Sequence, residues 1–165
     1  MTPNRRKLLL LVAIILAIGT LDFVTKMIVQ RTFVPHEQID VLGSFLRLTY
    51  IYNPGAAFGI YLGESSRLIF MGLSVAALVV LMMMYWFTPA LDRGRLFAIA
   101  LICAGALGNL IDRIRSPHGV VDFVDVGFGQ WRWPVFNVAD MAVTVGAVVL
   151  ALSLWREDRR PSEAA

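Results

Sequence analysis

The sequence predicts a mainly α-helical integral membrane protein, with four transmembrane helices and a small extra-cytoplasmic β-sheet lying on the membrane surface. Three observations carry this. The chain is 58% hydrophobic and 16% charged, with a mean hydropathy of +0.68; soluble domains are about half apolar and about 25% charged. Four apolar runs approach or reach the roughly 20 residues that cross a hydrocarbon core. Two stretches between those runs have a strand-like pattern instead. The 165 residues then form one membrane domain. Its spans lie at about 8–29, 68–87, 96–112 and 138–155, with extra-cytoplasmic segments at about 31–65 and 113–137.

The opening MTPNRRKLLLLVAIILAIG has the basic start and apolar core of a secretory signal. No clean small-x-small cleavage site follows, and apolar character continues past Asp22 to Val29, so a retained first span is expected. Asp22 and Lys26 are spaced i, i+4 and share one helix face. Two charges inside a span point to a paired, functional position near its outer end. Pro35 stops the helix. Between Phe45 and Tyr52 the residues alternate, with Leu46, Leu48, Tyr50 and Tyr52 on one side, a strand period. Asn53-Pro54-Gly55 follows as a turn, and Ala56, Ala57, Phe58 and Gly59 keep the backbone open to close approach.

Leu68 to Phe87 carries no charge and suits a second span; Met82, Met83 and Met84 are expected to serve packing. Thr88 to Arg95 reads as a short loop. The third span begins at Leu96 and ends in Asp112-Arg113, with Gly105, Gly108, Asn109, Asp112 and Arg113 along one face. Its glycines and Ala104 permit close helix contact. Val120 to Asp140 then holds three carboxylates, Asp122 and Asp125 on a β-like piece and Asp140 at the mouth of the fourth span. Asn137 followed three residues later by Asp140 matches a capping box. Phe128, Trp131 and Trp133 suit a membrane–water interface.

Charge sets the expected topology. Arg5, Arg6, Lys7, Arg93, Arg95, Arg156, Arg159 and Arg160 are eight of the fifteen Lys and Arg, and all flank spans on one side. The positive-inside rule makes that side cytoplasmic, with both termini there and the carboxylates at the opposite face. Cys103 is the one cysteine and lies in an apolar run, where a thiol stays protonated. His36 and His118 are far apart and give no metal-ligand spacing; no metal, cofactor or nucleic-acid partner is expected. Two carboxylates brought together at a membrane surface can share one proton and activate water without a metal. On chemistry alone, Asp122 and Asp125 are equal candidates to partner Asp140.

Five blocks now stand in order: Asp22…Lys26, Asn53-Pro54-Gly55-Ala56-Ala57-Phe58, Gly105 through Arg113, Val121-Asp122-Phe123, and Phe136 through Asp140. In this order, interleaved with four spans, they resemble the bacterial lipoprotein signal peptidases (signal peptidase II) over nearly the whole chain. The resemblance implies an aspartic endopeptidase of the bacterial inner membrane. Its substrates would be prolipoproteins whose lipobox cysteine already carries diacylglycerol, cut on the amino side of that cysteine. It implies Asp122 and Asp140 as the catalytic dyad, with Asp22, Lys26, Asn53, Gly108, Asn109, Arg113 and Asn137 supporting the dyad and the substrate backbone. Lipidated signal peptides, membrane lipids and globomycin-type inhibitors are the implied partners. The rival reading is a non-enzymatic four-span carrier or assembly factor. A carrier more often shows internal repeats and mid-membrane charges, and this chain shows neither.

Overall fold

A computed structural model describes residues 2–55 and 62–158. Ala56 to Gly59 of the turn block and Arg159 and Arg160 lie outside the described residues. Four helices form the body: α1 (Pro3–Thr32), α2 (Ser66–Phe87), α3 (Arg93–Arg115) and α4 (Val138–Asp158). Each is long and apolar enough to cross a membrane. All four run past or up to the expected span limits, because helical hydrogen bonding does not stop where hydrocarbon stops. α1 has 30 residues, about 45 Å at 1.5 Å per residue, so its ends project beyond the apolar layer.

Each helix end has a local cause. Pro3 occupies the first turn of α1, where a missing N–H costs nothing. Pro35 and Pro89 follow the ends of α1 and α2 by two or three residues and prevent their continuation. Asp92 caps α3, its Oδ1 accepting from the Arg95 N–H at 3.1 Å. The expected 88–95 loop therefore shortens, and Arg93 and Arg95 belong to the first turn of α3. Lys7, one of the basic residues flanking the first span, does more than set orientation. It is buried, and its Nζ donates to the carbonyls of Trp86 at 2.8 Å and Thr88 at 2.9 Å, neutralising the negative end of α2.

α3 is the central helix and touches the other three. The apolar core gathers along it: Leu96, Ile99, Ala100, Cys103 and Ala104 meet Leu11 and Ile14 of α1, Tyr85 of α2 and Ala142 of α4. Cys103 serves packing there, and Met82 and Met84 pack against the same cluster. Outward-facing residues such as Leu16, Leu73 and Val148 stay exposed. Lipid is as apolar as they are, so close backbone approach, rather than apolar burial, must hold the helices together. Gly105 supplies it: a Cβ there would collide with the Ala139 carbonyl oxygen and lie 2.8 Å from Val143 Cγ2. Gly146, which the sequence did not single out, repeats the device from α4, where an added Cβ would lie 2.7 Å from the Ala98 oxygen.

Four antiparallel strands fill the two long connections: β1 (Gln38–Leu42), β2 (Leu46–Asn53), β3 (Val120–Phe128) and β4 (Trp131–Arg132), in the order β1-β2-β3-β4. The connections join the ends of α1 and α3 to the starts of α2 and α4, so the sheet sits at that end of the bundle. β1 lies outside the sequence expectation; its five residues are all exposed, and an Asp40–Arg47 pair at 2.8 Å helps tie it to β2. The strict alternation expected over 45–52 is interrupted. Pairing slips between Leu48 and Ile51, where Thr49 and Tyr50 are both buried, as a bulge requires. Tyr50, Val121 and Phe123 close over Val29, seating the sheet on α1. Phe128, Trp131 and Trp133 stay exposed at 73%, 88% and 59%, as interface residues would.

Replacing Gly105 tests the α3–α4 contact. Gly105→Val should lower the thermal unfolding midpoint in detergent by the equivalent of roughly 1–3 kcal/mol. Gly72→Ala, where an added Cβ meets nothing within 4 Å, should leave the midpoint unchanged. Equal midpoints for the two variants would rule out a tight seam.

Candidate active site

Strand alternation in β3 separates the two aspartates. Asp122 pairs with Ile51 and Asp125 with Arg47 across the β2–β3 ladder. Three residues apart on one strand, the two carboxylates point to opposite faces. Asp125 is occupied by Arg132, whose Nε lies 2.9 Å from its Oδ1. Asp122, 1% exposed, turns toward the start of α4. A bridge between Val124 and Phe136, with N–H···O distances of 2.8 and 3.0 Å, holds the approach to α4 beside β3. Strand position thereby sets where Asn137 and Asp140 begin.

Asn137 and Asp140 form the expected capping box. The Asp140 N–H donates to Asn137 Oδ1 at 2.9 Å, and Asp140 Oδ2 accepts from the Asn137 N–H at 3.1 Å. The remaining end of the Asn137 amide donates to Asp122 Oδ1 at 2.6 Å. One fully buried asparagine thus touches both carboxylates. The free oxygens are held as well: Asn53 Nδ2 donates to Asp122 Oδ2 at 2.9 Å, and Asn109 Nδ2 to Asp140 Oδ1 at 2.8 Å. Asn53 is fixed by its own turn, its Oδ1 accepting from the Gly55 N–H at 2.9 Å.

A charged layer supports this one. Lys26, 3% exposed, reaches Asp22 at 2.7 Å, Asp112 at 2.7 Å and Asn109 Oδ1 at 3.1 Å. Its ammonium donates hydrogen bonds to Asp22 and Asn109 and meets Asp112 as an ion pair. The Lys26 contact also orients Asn109 so that its NH2 group faces Asp140. Asp22 does more than pair with Lys26: its Oδ1 accepts from the Ala139 N–H at 2.9 Å, capping α4 from another helix. Gly108 admits it, since a Cβ there would lie 2.9 Å from Asp22 Oδ2. Arg113 does not snorkel. It is buried and donates to the Gly55 carbonyl at 2.6 Å and the Asn109 carbonyl at 3.1 Å, joining the turn to α3.

All nine residues singled out in the sequence, Asp22, Lys26, Asn53, Gly108, Asn109, Arg113, Asp122, Asn137 and Asp140, therefore meet at one end of the bundle. The part played by Asp112 as third partner of Lys26 was not foreseen; its place on the Asn109–Arg113 seam was the available signal. The carbonyl of Gly55 and the N–H of Ala139 are backbone groups, which side-chain patterns do not reveal. A cleft of about 360 Å³ runs from Asn53 and Asp140 past Trp133 and along Met141 and Val145 of α4. Its apolar wall and polar end suit a ligand with the same two characters. Among the described residues, no group of three His, Cys, Asp or Glu is placed to hold a metal ion.

The sequence model described as signal peptidase (SPase) II matches residues 14–156. The chain belongs to the signal peptidase II family. Among its relatives, a lipoprotein signal peptidase of Desulforapulum autotrophicum is 45% identical over 149 residues, covering 88% of this chain and 91% of that protein. Another, of Geobacter metallireducens, is 38% identical and spans 99% of both chains. A solved structure of a bacterial membrane enzyme superposes with a TM-score of 0.84 at 30% identity, over 94% of this chain and 93% of that one. Signal peptidase II enzymes are aspartic peptidases, and the geometry above supplies this member with a buried carboxylate, Asp122, and a half-buried one, Asp140, both bonded to Asn137.

Burial, and then the neighbouring Asp140 charge, push the Asp122 carboxyl from an ordinary 3.8 up to about 7, against the pull of Asn53 and Asn137. The folded chain therefore keeps a proton that the unfolded chain releases. This group's contribution to stability is full below about pH 4 and is lost as pH rises toward about 7. Unfolding of the purified protein and of Asp122→Ala, followed across that range, should show the parent losing more stability with rising pH. A parallel course for the two would contradict the raised value.

Proposed function

We propose that Asp122 and Asp140 are the catalytic dyad of this lipoprotein signal peptidase. The protein is an aspartic endopeptidase that removes the signal peptide from diacylglyceryl-modified prolipoproteins, cutting on the amino side of the lipidated cysteine. The observation that carries the dyad reading is Asn137, whose side-chain Nδ2 donates to Asp122 and whose backbone N–H donates to Asp140, beside the apolar cleft that Asp140 lines.

In the proposed mechanism the pair holds one proton. The ionised carboxylate takes a proton from water as its oxygen attacks the scissile carbonyl carbon. The protonated carboxyl donates a hydrogen bond to the carbonyl oxygen. On collapse, the C–N bond breaks and a proton passes to the cysteine nitrogen, leaving a carboxylate on the signal peptide and an amine on the lipoprotein. Charge balance supports the single proton. Four carboxylates (Asp22, Asp112, Asp122 and Asp140) face two buried cations, Lys26 and Arg113, so full ionisation would leave two excess negative charges in a poorly solvated site.

The supporting residues divide the remaining work. Asn53, Asn109 and Asn137 aim the carboxylates, Lys26 and Asp22 hold Asn109 and the α4 start, and Gly108 makes room for Asp22. Arg113 keeps the turn at Gly55 against the dyad, where the substrate backbone would lie. The cleft along α4 would receive apolar substrate from the side, with membrane lipids as its other neighbours. Globomycin-type cyclic peptides would compete at the same pair. The site belongs to the extra-cytoplasmic face of a single inner-membrane domain whose termini are cytoplasmic, a placement supported by the basic flanks. The carrier reading has less support, because the charged groups gather at one end and satisfy one another.

Cleavage of a diacylglyceryl-modified prolipoprotein, followed by gel shift, tests the dyad. Asp122→Asn and Asp140→Asn should each lower the rate by at least about 10²–10⁴, whereas Asp125→Asn should remain active although less stable. Retained activity in either of the first two would exclude the assignment. The rate should also fall above about pH 7, as the shared proton leaves the pair. A profile flat through pH 9 would mean that no such proton is needed.

A further inference from the structure

At the end of the bundle opposite the carboxylates, two helices begin side by side with the wrong charge. α1 carries Arg5 and Arg6 near its start, and α3 carries Arg93 at its first position; neither has an acidic residue in its first turn. A helix N-terminus is already positive, so cations there are unfavourable unless an anion joins them; the Asp92 carboxylate caps α3, whereas α1 is capped by the neutral Thr2. Other cations nearby are committed. Lys7 caps α2, and Arg95 is paired with Asp92 and Glu157. Arg6 and Arg93 are exposed, and among the described residues neither has an acidic partner.

Between these two arginines lies a cavity of about 840 Å³. It is lined by Arg6, Arg93 and the committed Lys7, together with the apolar Leu10, Leu91 and Phe97. Leu91 is 92% exposed and Phe97 44%. Paired cations above an apolar wall at the end of membrane helices match a molecule that is anionic at one end and hydrocarbon at the other. A free phosphate would leave the apolar wall unused, and a zwitterionic lipid would bring its own cation to the arginines. We infer that this cleft between the starts of α1 and α3 is a binding site for one anionic phospholipid. Its phosphodiester lies between Arg6 and Arg93, and an acyl chain lies along Leu10 and Phe97. Basic pockets between membrane helices are suited to such headgroups. The bound lipid would supply the anionic partner that Arg6 and Arg93 lack and tie α1 to α3. This site is separate from the dyad and does not depend on that assignment.

The full chain would be delipidated and returned to phosphatidylcholine bilayers with or without phosphatidylglycerol. Lipid retained by the protein would be counted by native mass spectrometry. The parent should keep one phosphatidylglycerol in preference to phosphatidylcholine. Arg6→Gln with Arg93→Gln should lose on the order of tenfold of that preference, with unaltered prolipoprotein cleavage in phosphatidylcholine showing that the fold is intact. Arg31→Gln, an exposed cation in the last turn of α1, should keep the preference. An equal loss in Arg31→Gln would mean diffuse attraction and overturn the site. Displacement of the lipid by inorganic phosphate would also overturn it, as would a parent that shows no preference.

Discussion

The hydrogen bonds of Asn137 are the constraint on which the site depends. The residue is fully buried and stands where β3, α3 and α4 converge. Its Oδ1 begins α4 by accepting from the Asp140 N–H, and its Nδ2 reaches Asp122. One side chain therefore couples the start of a helix to the position of a carboxylate on a strand. An apolar residue here would free the first turn of α4 and leave a buried aspartate short of a donor, and unmet buried polar groups cost more than formed hydrogen bonds return. An aspartate would present an acceptor to Asp122 and add a third charge. Only an amide offers an acceptor to the helix and a donor to the carboxylate at once.

Around that amide, the site meets the cost of buried charge with fixed partners. Water would solvate the carboxylates by reorienting; here Asn53, Asn109 and Asn137 are already oriented, each by a second contact of its own. Such donors need no rearrangement when charge shifts during reaction. The same logic explains why the cations stand one layer back. Lys26 reaches Asp140 through Asn109, and Arg113 is directed to backbone carbonyls. A direct Lys26–Asp140 pair would hold that carboxylate ionised and remove the exchange of one proton between two acids.

Much of this was legible in the sequence, for unequal reasons. The four helices follow from apolar length, and the capping box from the spacing of Asn137 and Asp140. The small residues at Gly105 and Gly108 announced a close seam, but nothing in them named α4 and Asp22 as what would fill it. The choice between Asp122 and Asp125 was beyond pattern reading, because strand alternation puts the two on opposite faces without saying which face the helices cover. β1 was missed because an all-exposed strand has no burial pattern to detect. The burial of Lys7 was not legible, because its partners are carbonyls some eighty positions away. Local signals predicted elements, and the errors concern contacts made between them.

The up-and-down topology has an electrostatic consequence that divides the molecule. It gathers the starts of α1 and α3 at one end and the starts of α2 and α4 at the other. At the α4 end the positive helix terminus meets Asp22 and Asp140, so the dipole and the carboxylates stabilise each other without outside help. At the other end Asp92 caps α3, but among the described residues Arg6 and Arg93 have no acidic partner. Positive flanks serve orientation during insertion, and this requirement competes with helix stability once insertion is complete. An anionic lipid resolves the competition at no cost to the sequence, since the membrane that demands the arginines also provides their counter-charge. The two ends thus meet the same helix electrostatics with different anions, one set built into the chain and the other drawn from the bilayer.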